Sequence, residues 1–128
     1  MKVIVTAGPT REFLDPVRFL SNPSSGKMGF AVAAAAAQRG HDVTLIAGPV
    51  SLKTPRSFKL KDVVSAREML QALEDELAAA RGSEETVWVI SVAAVADWRP
   101  KTCADSKLKK SRMKGTLELV RNPDILKT

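Results

Sequence analysis

Hydrophobic residues arrive in short blocks separated by polar, glycine-punctuated stretches, and the blocks are of two kinds. Residues 2–8 (KVIVTAG) form a β-branched run closed by glycine, which predicts a buried strand by length and composition. Residues 42–48 (DVTLIAG) repeat the pattern. Between them, residues 26–39 predict a helix whose packing surface is nearly all alanine, Ala31 and Ala33 to Ala37. Ser24 or Ser25 is its expected N-cap and Gly40 its stop. Residues 58–64 alternate weakly and suggest a third strand. Ser65-Ala-Arg-Glu68 reads as a capping box that opens a helix through about residue 80. Its apolar positions Ala66, Met69, Leu70, Leu73 and Leu77 recur at helical spacing. Residues 86–94 predict the most hydrophobic strand and residues 116–120 a fifth. Asn122-Pro123 is expected to open a further helix, with Asn122 as its cap.

This order of strands and helices predicts the α/β class, a Rossmann-like parallel sheet with helices on both faces. The 128 residues suit a single domain, 1–128. Ligands of such sheets bind beyond the carboxyl ends of the strands, where strand order reverses. That places residues 8–27, 48 onward and 93–110 around one crevice. Residues 8–25 form a polar, proline-punctuated connection that reads as irregular. It far exceeds the ~2–6 residues usual between strand and helix, and long ordered loops tend to be functional.

Composition removes several classes. With 45% hydrophobic and 27% charged residues, the chain is neither a disordered tail nor a collagen-like repeat. A lone Cys103 and a lone His41 form no internal disulfide and no multi-cysteine zinc site, so no metal site and a reducing cytoplasm are expected. No apolar stretch approaches the ~20 residues of a membrane span. Residues 1–20 lack the pattern of a signal peptide. The net charge of +6 is localised. Residues 1–98 balance, while Arg99, Lys101, Lys107, Lys109, Lys110, Arg112, Lys114 and Arg121 face only Asp105 and Glu118 over residues 99–121. Such a stretch points to a polyanion, a triphosphate or nucleic acid, or else is a solvated loop.

Neither standard phosphate motif fits. The three glycines of the dinucleotide fingerprint are missing after the first strand, and Gly26-Lys27 is followed by Met28 rather than Ser or Thr. What remains is SNPSSGKMG at 21–29: two hydroxyls, Ser24 and Ser25, with Gly26 and Lys27 at a helix start. Free N–H groups and the positive helix end suit an anion there, and a serine cap with nothing bound is the alternative. Asn22 can orient an acyl group or serve as a turn residue. Cys103 has no paired base and is incidental. Trp88 and Trp98 are expected to pack.

Seven ordered segments together resemble the bacterial phosphopantothenoylcysteine synthetase domain of coenzyme A biosynthesis. They are TAGPTRE at 6–12, DPVR at 15–18, SNPSSGKMG at 21–29, GPVSL at 48–52, AAVADWRP at 93–100, KLKK at 107–110 and LVRNPDI at 119–125. The resemblance implies CTP-dependent ligation of 4′-phosphopantothenate with cysteine through an acyl-cytidylate, with magnesium arriving through the triphosphate. It implies catalytic roles for Asn22, against the acyl-cytidylate, and for Lys107, on a mobile basic flap at about 99–115. Ser24, Ser25, Gly26 and Lys27 would bind nucleotide. So would Ala93, Ala94, Asp97, Pro123, Asp124, Ile125 and Leu126. Asp97 suits ribose hydroxyls or an exocyclic amine; a helix cap or a partner for Arg99 are its structural alternatives.

The resemblance further implies a homodimer in the full-length form and a cytoplasmic location, with no membrane. Nucleic acid is disfavoured because no aromatic residue beyond Trp98 interleaves the lysines. Pro23 stands where relatives often carry histidine, and Pro9 where they carry glycine. The family domain continues past residue 128 with a further strand, an aromatic nucleotide segment, phosphate-binding lysines and dimer contacts. The domain is therefore expected to be partial, truncated at the C-terminal side. An inactive or incomplete nucleotide-binding fragment is the alternative. With Met1 directly before the first strand, no flavin and no preceding flavin-dependent domain are expected.

Overall fold

In the computed structural model, residues 1–52, 57–112 and 115–127 are described. Met113 and Lys114, inside the expected flap, lie outside them. The elements run β1 (Lys2–Ala7), β2 (Arg11–Phe13), β3 (Phe19–Ser21), α1 (Lys27–Gln38), β4 (Asp42–Ala47), β5 (Lys59–Asp62), α2 (Ala66–Ala80), β6 (Val87–Ser91), β7 (Trp98–Pro100) and β8 (Leu119–Arg121). A single 3-10 turn covers Lys110–Arg112.

Four strands build a parallel sheet in the order β5-β4-β1-β6. Successive side chains of a strand point to opposite faces, so β1 and β4 each feed two cores. Val3, Val5, Ala7, Val43, Leu45 and Ala47 meet Phe30 and Ala33 of α1. Ile4 and Ile46 meet Met69, Ala72 and Leu73 of α2, with Val63 and Ile125. Helices therefore cover both faces, and the central strands read as unbroken apolar runs for that reason. Each fully buried Ile4, Leu45, Ile46 or Met69 contributes roughly 1.5–3 kcal/mol over its exposed state.

α1 lies so close to β1 that a Cβ on Gly29 would overlap the Ala7 side chain. Its alanine surface is only partly used: Gly29, Phe30 and Ala33 are buried, whereas Ala31 and Ala35 are exposed. The N-cap is Gly26, in the left-handed conformation at φ +78°, and not either serine. Ser24 and Ser25 instead accept from the N–H groups two residues on, Gly26 and Lys27, each at 3.3 Å. Those turns swing the chain so that only a glycine fits at the cap. The expected serine cap forms at α2, where Ser65 Oγ accepts from Glu68 N at 3.2 Å, but the Glu68 carboxylate accepts from Val64 N at 2.8 Å, one residue before the Ser65 N–H that a capping box uses.

One position of α2 departs from the expected face. Glu76 is buried and Leu77 is 37% exposed. The Glu76 carboxylate is ringed by Lys59 Nζ at 2.8 Å, Lys61 Nζ at 3.0 Å and Lys2 Nζ at 3.1 Å, and it accepts from Thr44 Oγ1 at 3.3 Å.

Four further expectations are corrected. Residues 8–25 are not irregular: β2 and β3 pair as an antiparallel hairpin, with the Phe13 and Phe19 rings 5.1 Å apart. β8 does not extend the parallel sheet but pairs antiparallel with β7. A parallel addition needs a helical crossover, and residues 101–118 supply only the short 3-10 turn among those described. After Asn122 the chain forms a turn over residues 125–127 rather than a helix. Trp88 and Trp98, expected to pack, are 55% and 46% exposed. The Arg121 guanidinium lies over the Trp98 ring at 5.4 Å.

Candidate functional site

Beyond β6 the chain does not turn away from the sheet; it continues along the end of β1. Val92 N donates to Thr6 O at 3.1 Å, and Ala94 N donates to Gly8 O at 2.9 Å. Ala96 N donates to the Thr10 hydroxyl, wholly buried, at 3.0 Å. Two asparagines clamp the same strip through its carbonyls. Asn22 Nδ2 donates to Val95 O at 3.2 Å, and Asn122 Nδ2 donates to Ala96 O at 2.8 Å. Asn122 N also donates to Asp97 O at 2.8 Å. Residues 92–97 are thereby held in one shape by partners from three distant segments.

This strip borders the point where strand order reverses, between β1 and β6, the place where open α/β sheets hold ligands. A hollow of about 560 Å³ opens there, lined by Ser91, Ala93, Val95, Asp97 and residues 121–127. It is apolar at Ala93, Val95 and Ile125 and carries Asp97, Asp124, Arg121 and Lys127 at its polar wall. Ile125 also belongs to the core against α2, which fixes the following turn to the sheet.

Of the expected site residues, Ala93, Asp97, Pro123, Asp124, Ile125 and Leu126 line the hollow together. Asn22 holds the strip through Val95 without lining the hollow. Ala94 bridges to Pro9 through its backbone and is likewise not in the lining. Ser24, Ser25, Gly26 and Lys27 stand at the start of α1, whose core lies on the opposite face; Gly26 sits against Gly8 and Val50. Arg99 does not pair with Asp97. Its Nη1 donates to Arg121 O at 2.7 Å and to Asn122 Oδ1 at 3.2 Å.

Lys107 stands on the basic segment, away from the hollow's lining and beside a buried carboxylate, Asp15. Asp15 Oδ1 accepts from Val17 N at 2.8 Å and Arg18 N at 2.7 Å, and its Oδ2 accepts from Leu108 N at 3.1 Å. Burial pushes this carboxyl up, but the three backbone donors, with the Arg18 guanidinium, outweigh it and hold the pKa below the ordinary aspartate range. Thr10 and Asp15 lie inside segments that resemble the family, yet their residue types give no hint of a partner 86 or 93 positions away. An Asp-Pro pair does announce a side chain that closes its own turn.

The chain matches the family model described as the DNA/pantothenate metabolism flavoprotein C-terminal domain over residues 1–128. It is similar to the coenzyme A biosynthesis bifunctional protein CoaBC of Vibrio cholerae, 54% identical over 127 residues, and to that of Bacillus subtilis, 51% identical over 126 residues. Each comparison covers 98% of this chain but 30% of the relative, so the chain spans under a third of those proteins. Among solved structures, it is similar to the C-terminal domain of CoaBC, with a TM-score of 0.79 and 42% identity over 98% of this chain and 56% of that one. A Cab2 variant in complex with phosphopantothenate-cysteine shares the fold at 17% identity, with a TM-score of 0.60 over 98% of this chain and 57% of its own. The chain belongs to the DNA/pantothenate metabolism flavoprotein C-terminal domain family.

Proposed function

We propose that the chain carries a phosphopantothenate–cysteine ligase site that works through CTP. The observation that carries this is the shared strip, residues 92–97: Asn22 holds it at Val95, and its Asp97 lines the hollow beside the point between β1 and β6 where strand order reverses. The likeness to CoaBC supports a place in coenzyme A biosynthesis, and the Cab2 complex supports phosphopantothenate and cysteine as substrates.

In this reaction the carboxylate of 4′-phosphopantothenate attacks the α-phosphorus of CTP, and the bond to pyrophosphate breaks. The cysteine amine then attacks the acyl carbon of the acyl-cytidylate, and CMP leaves with the bonding electrons. Ala93 lets a base or ribose approach the backbone, and Asp97 accepts from ribose hydroxyls or the exocyclic amine. The Asn22 amide is oriented by Val95 O, and the second hydrogen of its Nδ2 can donate to the acyl oxygen. Lys27 at the start of α1, and Lys107, offset charge on the phosphates. Magnesium would be carried on the triphosphate. The same reading carries a homodimeric, cytoplasmic enzyme in the full-length form.

Calorimetry of the chain with CTP and Mg²⁺ tests it. Saturable binding is expected, weakened about tenfold by Asp97→Ala, the loss of one charge-assisted hydrogen bond. Binding no tighter than that of sulfate would remove the nucleotide site, and equal affinity for ATP would remove the preference for CTP.

A further inference from the structure

We propose that Asp15 is a positioning residue: it latches the lysine-bearing flap to the hairpin that ends at Asn22. One carboxylate oxygen closes the hairpin's own turn through Val17 N and Arg18 N. The other spans 93 positions of sequence to Leu108 N, the residue directly after Lys107. Arg18 Nη2 donates to Leu108 O at 3.4 Å, so both backbone groups of Leu108 are held. Ala104 N donates to Leu14 O at 2.9 Å and adds a second attachment.

A turn needs only one oxygen of an aspartate. Burying the whole carboxylate is costly unless every oxygen is satisfied, and here the flap completes the set. Backbone donors have fixed directions, so the contact specifies one shape for the chain beside Lys107. β3 ends at Ser21, whose hydroxyl donates to Thr10 O at 2.7 Å, immediately before Asn22. The hairpin thus carries the latch at its tip and the acyl-facing amide at its base. A purely solvated flap would need neither attachment. The consequence for the nucleotide rests on the role of Lys107 proposed above.

Two variants of the chain test the latch. Asp15→Asn weakens the acceptor, and Leu108→Pro removes the flap's donor while leaving the Asp15 turn intact. Hydrogen exchange read by mass spectrometry is expected to rise about tenfold or more over residues 104–112 in both, with α2 unchanged. Protection that stays at the wild-type level in Leu108→Pro overturns the latch, even if Asp15→Asn fails to fold. CTP affinity is expected to fall about tenfold in Asp15→Asn and not to fall further when that change is added to Lys107→Gln. Fully additive losses would show that Asp15 does not act through Lys107. A wild-type chain that binds no CTP yet protects residues 104–112 would sink the nucleotide assignment and leave the latch standing.

Discussion

Glu76 and Asp15 are both carboxylates taken out of water, and opposite means keep them charged. Glu76 sits under α2 in a ring of three lysine ammonium groups supplied by β1 and β5. Asp15 sits at the tip of the β2–β3 hairpin among backbone N–H groups. Burial pushes both pKa values up, and in both the partners prevail. Glu76 is held down to about 2, chiefly by hydrogen bonds from Lys59, Lys61 and Lys2. The contrast lies in the partners. Lysine heads sit on flexible stems and draw elements together without dictating their shape, so Glu76 serves stability. Peptide N–H groups cannot re-aim, so Asp15 serves geometry.

The hardest way to break this contrast is to remove Glu76. Glu76→Ala should lower the unfolding free energy by about 2–4 kcal/mol in a denaturant titration, because three ammonium groups lose their common partner. Native-state exchange of the flap at residues 104–112 should stay unchanged. Acid sharpens the comparison next. The Glu76 pKa is lowered on folding, from 4.5 to about 2, so its contribution is complete above about pH 4.5 and is lost as pH falls toward about 2. Stability measured across that window should drop by on the order of 2–3 kcal/mol in the wild type, and Glu76→Gln should flatten the curve. A curve just as steep in Glu76→Gln would assign the acid sensitivity elsewhere. The smallest effect is expected from Lys59→Met. That side chain is 59% exposed, and two lysines remain, so the loss should stay under about 1 kcal/mol and shrink further in salt.

The same contrast marks how far the site could be read from residues alone. Helical spacing placed Leu77 on the packed face of α2, yet Glu76 is the buried residue, because the lysines that neutralise it come from β1 and β5. Ala93, Asp97 and residues 123–126 gather at one hollow. Asn22 and Lys107 stand outside that lining; Asn22 is tied to Val95, and Leu108, the residue after Lys107, to Asp15, both remote in sequence.

The sequence by itself determined the α/β class, the two helices with the serine cap at Ser65, and the strands of the parallel sheet. Alternation, caps and apolar runs are local properties, and the strand interiors satisfy them without outside help. Tertiary structure alone decided the three-residue strands β2, β3 and β7, the antiparallel pairing of β8, the shape of the 92–97 strip, and the lowered pKa values of Asp15 and Glu76. Three residues carry no readable period. A buried polar group is satisfied by whichever partner the fold brings within hydrogen-bond reach, and for Thr10 and Asp15 that partner lies more than eighty positions away along the chain.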